Sequence, residues 1–315
     1  MAPLIPLCTA LTEHEQLWAS YQPFLEEQGY MLRPRYKPGW VAACLSNKEQ
    51  DPFCFEDSVP GSPRVLDAKC MSDGADVVVK VVPTSSMEVC IAMFLTNCPD
   101  AEKHSLPCLD LIPMPDNPHD SFMVFPRMRS CTCFPYINTV QEFIEFLQQM
   151  LEGLVFLHDN NIAHRAISQN HMVLNASRMI PGGFHFAKPR TSDGVTYLLH
   201  RTGNQSVPHW KTRTEAGPMQ YYFIDFGLSV QFPSRDARKL VTGVCGQHDL
   251  IPEVSDTVPY DPFKVDVWSI GGIIVDYLEV RYAGLDYLVP LARKLRHRDP
   301  TRRLDAQDAL KLFQR

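Results

Sequence analysis

The segment from Leu154 to Asn175 constrains this chain more than any other stretch of its sequence. It reads LVFLHDNNIAHRAISQNHMVLN, with an apolar run on each side of a polar loop. The loop contains His164, Arg165, Ala166 and His171. Further along the chain, the apolar run YYFI leads directly into Asp225, Phe226 and Gly227. The rest of the chain is arranged around these two segments.

Length and composition limit the classes of protein to which the chain can belong. Its 315 residues are enough for one large two-lobed domain or two ordinary ones, and 45% of them are hydrophobic, as in soluble globular proteins. The net charge of -6 gives no basic footprint of a nucleic-acid-binding domain. No run approaches the roughly 18 apolar residues of a membrane span, and the N-terminus lacks a basic signal region. We therefore expect a cytoplasmic protein that binds neither nucleic acid nor membrane.

The first 60 residues predict an accessory helix followed by a loop. Apolar residues recur at helical spacing from residue 12 to residue 28, and Thr12 with Glu15 forms a capping box at the start. Pro23 is expected to kink this helix or to split it in two. The stretch 33–40 predicts extended chain, and residues 44–64, rich in Pro, Ser and acidic residues, predict a surface loop.

Two strand-like runs, 65–71 and 76–82, flank a turn with Asp73 and Gly74, a pattern typical of a β-hairpin. The second run contains VVVKVV, with Lys80 among valines. A lysine in such surroundings strands its charge unless an acidic side chain pairs with it. The sequence therefore predicts an ion pair for Lys80.

A long amphipathic helix is predicted before the polar loop. Asn138, with Gln141 three residues later, is a good N-cap. One helical stripe holds Phe143, Leu147, Leu151, Leu154 and His158. The segment 176–219 that follows the loop is long and rich in Gly, Pro, Thr and basic residues. Its histidines are too widely spaced to be called metal ligands, so we expect a solvated loop to carry them. They are His185, His200 and His209.

The motifs of the second half of the chain, in this order, resemble those of a eukaryotic protein kinase domain. Asp225-Phe226-Gly227 matches the D-F-G motif. Ile251-Pro252-Glu253 resembles A-P-E, and the stretch from Asp266 to Gly271 resembles D-x-W-S-x-G. Arg303 falls where the family has an arginine that pairs with the glutamate of A-P-E. The extension ending in YMLRPRYKPGW and the insert at 176–219 are similar to those of the fungal-type protein kinases.

This resemblance implies an α+β, two-lobed fold with a small β-rich N-lobe and a larger, mostly helical C-lobe. Residues 61–128 would form the N-lobe, after the accessory region 1–60. Residues 129–315 would form the C-lobe. The resemblance also implies that Asp266 accepts hydrogen bonds from the backbone of the polar loop.

The same resemblance assigns roles to individual residues. The H-R-D loop keeps its first two residues, His164 and Arg165. Lys80 would grip the nucleotide phosphates and pair with an acid on the next helix, for which Glu88 is the candidate. Glu88 also forms an S-x-x-E capping box with Ser85, which is the alternative role. The residues implied for nucleotide binding are Lys80, Glu88, Phe125 at the gatekeeper position, and Asp225, which is also the magnesium ligand.

Two positions of the catalytic loop depart from the family. Ala166 stands where the catalytic base Asp should be, and a general base contributes roughly 100- to 10,000-fold to a rate. His171 stands where an Asn should hold a second magnesium ion, for which imidazole is a poor ligand. No G-x-G-x-x-G loop precedes Lys80 either. We therefore expect weak ATP binding that depends on Lys80 more than on Mg²⁺.

Three hypotheses for the function follow. The favoured one is a pseudokinase or scaffold with impaired or absent phosphotransfer. The second is a slow but genuine Ser/Thr protein kinase, in which Lys80 and Asp225 position the nucleotide and electrostatics supply most of the catalysis. The third is a small-molecule phosphotransferase, against which the A-P-E-like and D-x-W-S-x-G-like elements argue. The sequence names no substrate.

The insert at 176–219 is positively charged on a chain that is negative overall. The insert contains two acidic residues, Asp193 and Glu215, and a larger number of basic residues. The basic residues are Arg178, Lys188, Arg190, Arg201, Lys211 and Arg213. Such a reversal of sign can steer association with an acidic protein partner. The alternative is a solvated loop whose charges only keep it soluble.

Overall fold

The structure is a computed structural model that describes residues 9–46, 55–59, 61–99, 104–191, 210–243, 251–279 and 284–315. The chain divides into two units. The first comprises residues 1–84, 108–127 and 176–211, and the second comprises residues 85–107, 128–175 and 212–315. The domain boundaries expected after residues 60 and 128 remain a prediction.

In chain order, the α-helices are α1 (Glu13–Glu27), α2 (Ala43–Ser46), α3 (Met87–Asn97), α4 (Val140–Asp159), α5 (Arg213–Ala216), α6 (Pro262–Glu279), α7 (Val289–Leu295) and α8 (Ala306–Phe313). The strands are β1 (Tyr30–Leu32), β2 (Val65–Cys70), β3 (Asp76–Pro83), β4 (Asp110–Pro113), β5 (Asp120–Pro126), β6 (Arg129–Ser130), β7 (Ile162–Ala163), β8 (Met172–Leu174), β9 (Tyr221–Phe223) and β10 (Val230–Gln231). The α+β class predicted from the sequence is confirmed. Within the described ranges, no helix is both long and apolar enough to span a membrane.

The first unit is built on a five-stranded antiparallel sheet of order β1-β2-β3-β5-β4. The predicted hairpin is confirmed as β2 and β3, with Val65 opposite Lys80 and Gly74 at a positive φ of 73° in the turn. A strand that the sequence analysis missed, β1, pairs with β2 from Tyr30 opposite Cys70. The extended chain expected at 33–40 therefore begins earlier as a strand and then turns into a 3₁₀ helix at Pro34–Tyr36.

Helix α1 covers one face of this sheet. Trp18, Tyr21 and Leu25 pack with inward residues of β3 and β5 such as Val79 and Phe122. The predicted capping box between Thr12 and Glu15 is confirmed. The helix continues through Pro23 to Glu27, so the expected split is wrong. Its apolar face packs on the sheet over its whole length, which outweighs the one backbone hydrogen bond that a proline removes.

The second unit is mostly helical. Its small sheets are β6-β8-β9 and β7-β10. The predicted apolar stripe of α4 is buried from Phe143 to His158. The helix begins one residue later than predicted, because Thr139 rather than Asn138 accepts the capping hydrogen bond, from the N–H of Glu142 at 3.1 Å. Helix α6 is buried over most of its length and carries Asp266 into the interior.

Candidate active site

Asp266 binds the backbone of the polar loop in the second unit. This carboxylate is 0% exposed. Its two oxygens accept hydrogen bonds from the backbone N–H groups of His164 and Arg165, both at 2.7 Å. The Nε2 atom of His158, at the end of α4, lies 3.1 Å from the same carboxylate. The loop conformation, including the positive φ of 63° at Arg165, is thus fixed by a charged acceptor, as the sequence analysis expected.

His164 links the loop to the residue before Asp225. The Ala166 N–H donates to its Nδ1 at 3.2 Å, so the ring proton lies on Nε2, which donates to the Ile224 carbonyl at 3.1 Å. Burial lowers the pKa of His164, and the charge of Asp266 only partly opposes this effect. Both nitrogens of this neutral ring are occupied by hydrogen bonds. The ring therefore positions the loop and is not available as a base.

Arg165 is engaged by the segment that follows Asp225. Its guanidinium donates to the carbonyls of Leu228 and Thr242, each at 3.1 Å, and to the hydroxyl of Tyr260 at 2.8 Å. The assignment of Arg165 to a catalytic loop stays a prediction, and every one of these contacts positions backbone or an aromatic ring. The residue therefore supports the segment rather than touching a reacting group.

Ala166, at the position that the resemblance assigns to the catalytic base, carries only a methyl group. The residue is 4% exposed, and its carbonyl accepts a hydrogen bond from Nδ1 of His171 at 2.7 Å. A methyl group cannot accept the proton of a substrate hydroxyl. The loop has the conformation that its supporting contacts dictate, while the group that would carry out proton transfer is absent from it.

The two residues assigned to metal binding lie side by side. Nε2 of His171 is 3.3 Å from Oδ2 of Asp225, whose backbone is left-handed with a φ of 66°. The Asp225 side chain is 42% exposed and is an oxygen ligand suited to one Mg²⁺ ion. The nitrogen of His171 is not a ligand that Mg²⁺ prefers. These residues therefore fit one magnesium ligand position and do not fit the two-ion arrangement of protein kinases.

Glu88 lies in α3 of the second unit and is mostly buried. The alternative role of Glu88, a capping box with Ser85, is wrong, because Ser86 is the N-cap and accepts from the N–H of Val89. A Cβ atom at Gly227 would lie 3.4 Å from a carboxylate oxygen of Glu88 and equally far from one of Asp225. Glu88 is thus next to the D-F-G-like segment.

Lys80 and Phe125 belong to the first unit. Phe125 is opposite Val78, two residues from Lys80, so all three side chains share one face of the sheet. Lys80 and Phe125 are half-buried on this face, while Val79 on the other face packs toward α1. The ion pair between Lys80 and Glu88 would join residues of different units, and it stays a prediction.

The connection between the first two strands was not foreseen. The first strand is β1, so residues 33–64 join it to β2 where a kinase would have its glycine-rich loop, and this segment has no G-x-G-x-x-G pattern. Arg35 donates to both oxygens of Glu15, at 2.6 and 3.0 Å, and both side chains are 0% exposed. Nε of Arg33 lies 3.1 Å from Oδ1 of Asp67. Buried ion pairs hold the described part of this connection in place.

The described part of the insert differs from the expectation of a solvated loop. His185 is buried, and its Nε2 lies 3.0 Å from the Glu56 carboxylate in the same unit. His200 and His209 lie outside the described residues. Arg213 is 2% exposed and donates to the Cys131 carbonyl at 3.0 Å, so it does not contribute to a basic surface.

The A-P-E-like and arginine motifs are brought together as expected. Arg303 donates to both carboxylate oxygens of Glu253, one of them at 2.8 Å, and its guanidinium carbon lies 4.7 Å from the centre of the Trp268 ring. The Arg303 side chain is 0% exposed. This ion pair ties the segment after Asp225 to the C-terminal part of the chain.

Known protein kinases are similar to this chain over about half of its length. It is 29% identical over 132 residues to the Serine/threonine-protein kinase atg1 of Neosartorya fischeri, covering 42% of this chain and 12% of that protein. It is 25% identical over 177 residues to the Serine/threonine-protein kinase CHK1 of Mycosarcoma maydis, covering 54% and 20%. It is 28% identical over 134 residues to the Aurora kinase of Yarrowia lipolytica, covering 42% and 24%. The chain matches no protein-family model.

These similarities agree with the geometry described above. The fold is kinase-like. The chain spans between 12% and 24% of the length of these relatives, and their names support a protein kinase domain. Kinases in general use ATP and Mg²⁺, and the assignment of Lys80 and Asp225 to these ligands stays a prediction.

Proposed function

We propose that this chain is a protein kinase domain that does not transfer phosphate efficiently and acts by binding other proteins. The observation that carries the proposal is the catalytic loop, which is fully supported by Asp266 but has a methyl group at Ala166. Loss of a general base costs roughly 100- to 10,000-fold in rate. That loss corresponds to roughly 3 to 5 kcal/mol of activation barrier.

A slow protein kinase is the second candidate. Asp225 supports it, because its carboxylate is accessible and its backbone has the left-handed conformation described above. Electrostatic positioning alone can supply a large part of a rate enhancement. A small-molecule phosphotransferase is less well supported, since the Glu253–Arg303 pair and the Asp266 contacts are protein kinase features by resemblance.

ATP binding is proposed to be weak and to depend on Lys80 more than on Mg²⁺. Lys80 is placed on a half-buried sheet face, whereas His171 occupies one side of the Asp225 carboxylate. Thermal-shift titration with ATP should give a small rise in Tm that Lys80→Met removes and that Mg²⁺ does not increase. Lys69→Met, on the neighbouring strand and exposed, is the matched control and should keep the rise. A large Mg²⁺-dependent rise would overturn this proposal.

The insert is proposed to bind an acidic partner. Three of its basic residues, Arg178, Arg190 and Lys211, are exposed in the described ranges. Their attraction to an acidic surface should weaken with salt, since exposed charges are screened beyond about 10 Å at 0.1 M ionic strength. A variant with all three changed to Glu should lose partners that are captured from lysate at low salt. A control variant with Arg293, Lys294 and Arg302 changed to Glu should keep them, and equal capture by both variants would refute the proposal.

A further inference from the structure

The orientation of the His171 ring is fixed by the backbone of the residue at the base position. Nδ1 lies 2.7 Å from the Ala166 carbonyl, which can only accept, so Nδ1 carries a proton and donates it. Histidines that bind metal ions commonly hold their second ring nitrogen in this way, which fixes the ring and leaves the other nitrogen free to coordinate. In His171 the nitrogen left to coordinate is Nε2, and it is the atom that faces Asp225.

The distance between the two facing atoms matches a pair of ligands on one ion. Nε2 of His171 and Oδ2 of Asp225 are 3.3 Å apart. For bonds of about 2.1 Å to each atom, two neighbouring ligands lie about 3.0 Å apart at a right angle and about 3.4 Å apart at the tetrahedral angle. The observed separation lies between these two values. Both side chains are partly accessible, at 18% and 42% exposure, so water or other ligands can reach the remaining positions.

The chemistry of the two ligands selects the kind of ion. Mg²⁺ prefers oxygen ligands in octahedral geometry, whereas Zn²⁺ and Co²⁺ accept imidazole nitrogen together with carboxylate oxygen. We propose that His171 and Asp225 form a binding site for a divalent ion of the Zn²⁺ and Co²⁺ class in preference to Mg²⁺. Within the described residues, no group of three or more His, Cys, Asp and Glu side chains surrounds a metal position. The site therefore has two protein ligands and moderate affinity. It needs neither bound nucleotide nor phosphotransfer.

Cobalt titration of the untagged, chelator-treated full chain tests the proposal without nucleotide. Co²⁺ bound through nitrogen and oxygen gives visible absorption bands, and calorimetry gives its affinity. His171→Asn should weaken Co²⁺ binding at this site by at least about tenfold, a loss that residues merely supporting a metal ligand already cause. Asp225→Asn should weaken both Co²⁺ and Mg²⁺ binding. His14→Asn, an exposed histidine in α1, is the matched control and should bind Co²⁺ as the unchanged protein does.

Two outcomes would overturn the proposal. Equal Co²⁺ affinity for the unchanged protein and His171→Asn would show that His171 is not a ligand. If Asp225→Asn removes no Co²⁺ binding, the two side chains form a direct ion pair only. Circular dichroism checks that each variant is folded. If His171→Asn does not fold, X-ray absorption at the cobalt edge is measured on the unchanged protein with one equivalent of Co²⁺, and it reports an imidazole ligand directly. The same measurement on His14→Asn shows whether that imidazole belongs to this exposed histidine.

Discussion

Two parts of the second unit differ in how closely they match a protein kinase. The supporting part, made of Asp266 with its backbone hydrogen bonds and the Glu253–Arg303 pair, has the residues and contacts that the resemblance implies. The reacting part, made of Ala166 and His171, does not. The conformation of the loop is nevertheless fixed, because its backbone N–H groups donate to Asp266 in the supporting part. The shape of this loop and its chemistry therefore rest on different residues.

The first unit shows a related difference. Its antiparallel sheet and Lys80 are present, but residues 33–64 stand in place of a glycine-rich loop, and buried charges hold the described part of this connection. A glycine-rich loop offers backbone N–H groups to phosphate. Arg33 and Arg35 instead face carboxylates of their own unit. The first unit thus lacks a glycine-rich loop but keeps Lys80, and the second unit lacks the base and the Asn ligand but keeps Asp225.

The largest effect is expected where a fully buried pair is broken. Arg35→Met leaves Glu15 ionised with no guanidinium partner, and both side chains are 0% exposed. Breaking such a pair costs roughly 3 to 5 kcal/mol, and we expect the upper part of that range. Chemical denaturation measures the loss, with Lys37→Met as an exposed control two residues away. Equal stability of the two variants would mean that the connection 33–64 is not held by this pair.

A somewhat smaller loss is expected for Arg303→Ala. Breaking this pair also falls within roughly 3 to 5 kcal/mol, but the Glu253 side chain is 12% exposed, so water can reach the carboxylate that remains. The free energy of unfolding should fall by less than in Arg35→Met. Arg302→Ala, exposed and adjacent in sequence, should leave it unchanged. An unchanged unfolding midpoint for Arg303→Ala would mean that the Glu253–Arg303 pair does not stabilise the fold.

The smallest effect concerns pH and Glu56. Burial raises the pKa of the Glu56 carboxyl, but the hydrogen bond from His185 and the charge of Arg33 outweigh it, so the pKa lies below its ordinary value of 4.5. A lowered folded-state pKa gives stability that is present above the unfolded-state value and lost as pH falls through the folded-state value. Glu56→Gln should therefore cost roughly 1.5 to 3 kcal/mol at neutral pH.

The pH dependence provides the check on this variant. The difference in unfolding free energy between the unchanged protein and Glu56→Gln should shrink steadily as pH falls below 4.5. Glu27→Gln, an exposed residue of α1, should show no such trend. A constant difference across acidic pH would indicate that Glu56 contributes through packing rather than through its charge.

Local patterns were sufficient for much of the fold and of the supporting part. The β2–β3 hairpin followed from Asp-Gly between valine-rich runs, and the helix from Thr12 followed from its cap and apolar spacing. Helix starts were misplaced by one residue at Ser86, since neighbouring residues could both cap. The Asp266 and Arg303 contacts were expected from motif order and are present.

Partners far apart in sequence could not be predicted where no family motif links them. Strand β1 has only three residues, too few to show an alternating pattern, and it is defined by pairing with β2. The ion pair of Arg35 with Glu15 and the contact of His185 with Glu56 join residues from distant parts of the chain. A histidine in a polar, glycine-rich stretch carries no local sign of burial. The His171–Asp225 separation likewise required coordinates.

The rate of phosphotransfer by the unchanged protein decides whether its catalysis is impaired. Transfer of the labelled γ-phosphate of ATP to the chain itself and to a general protein substrate should be measured with Mg²⁺, Mn²⁺ and Co²⁺ in turn, so that a change of metal preference does not conceal activity. Impaired phosphotransfer predicts a rate close to that of Asp225→Asn with every metal, because the Ala166 methyl group replaces a base that would contribute roughly 100- to 10,000-fold. A rate that clearly exceeds that of Asp225→Asn with any of these ions would contradict it and would establish the slow kinase instead.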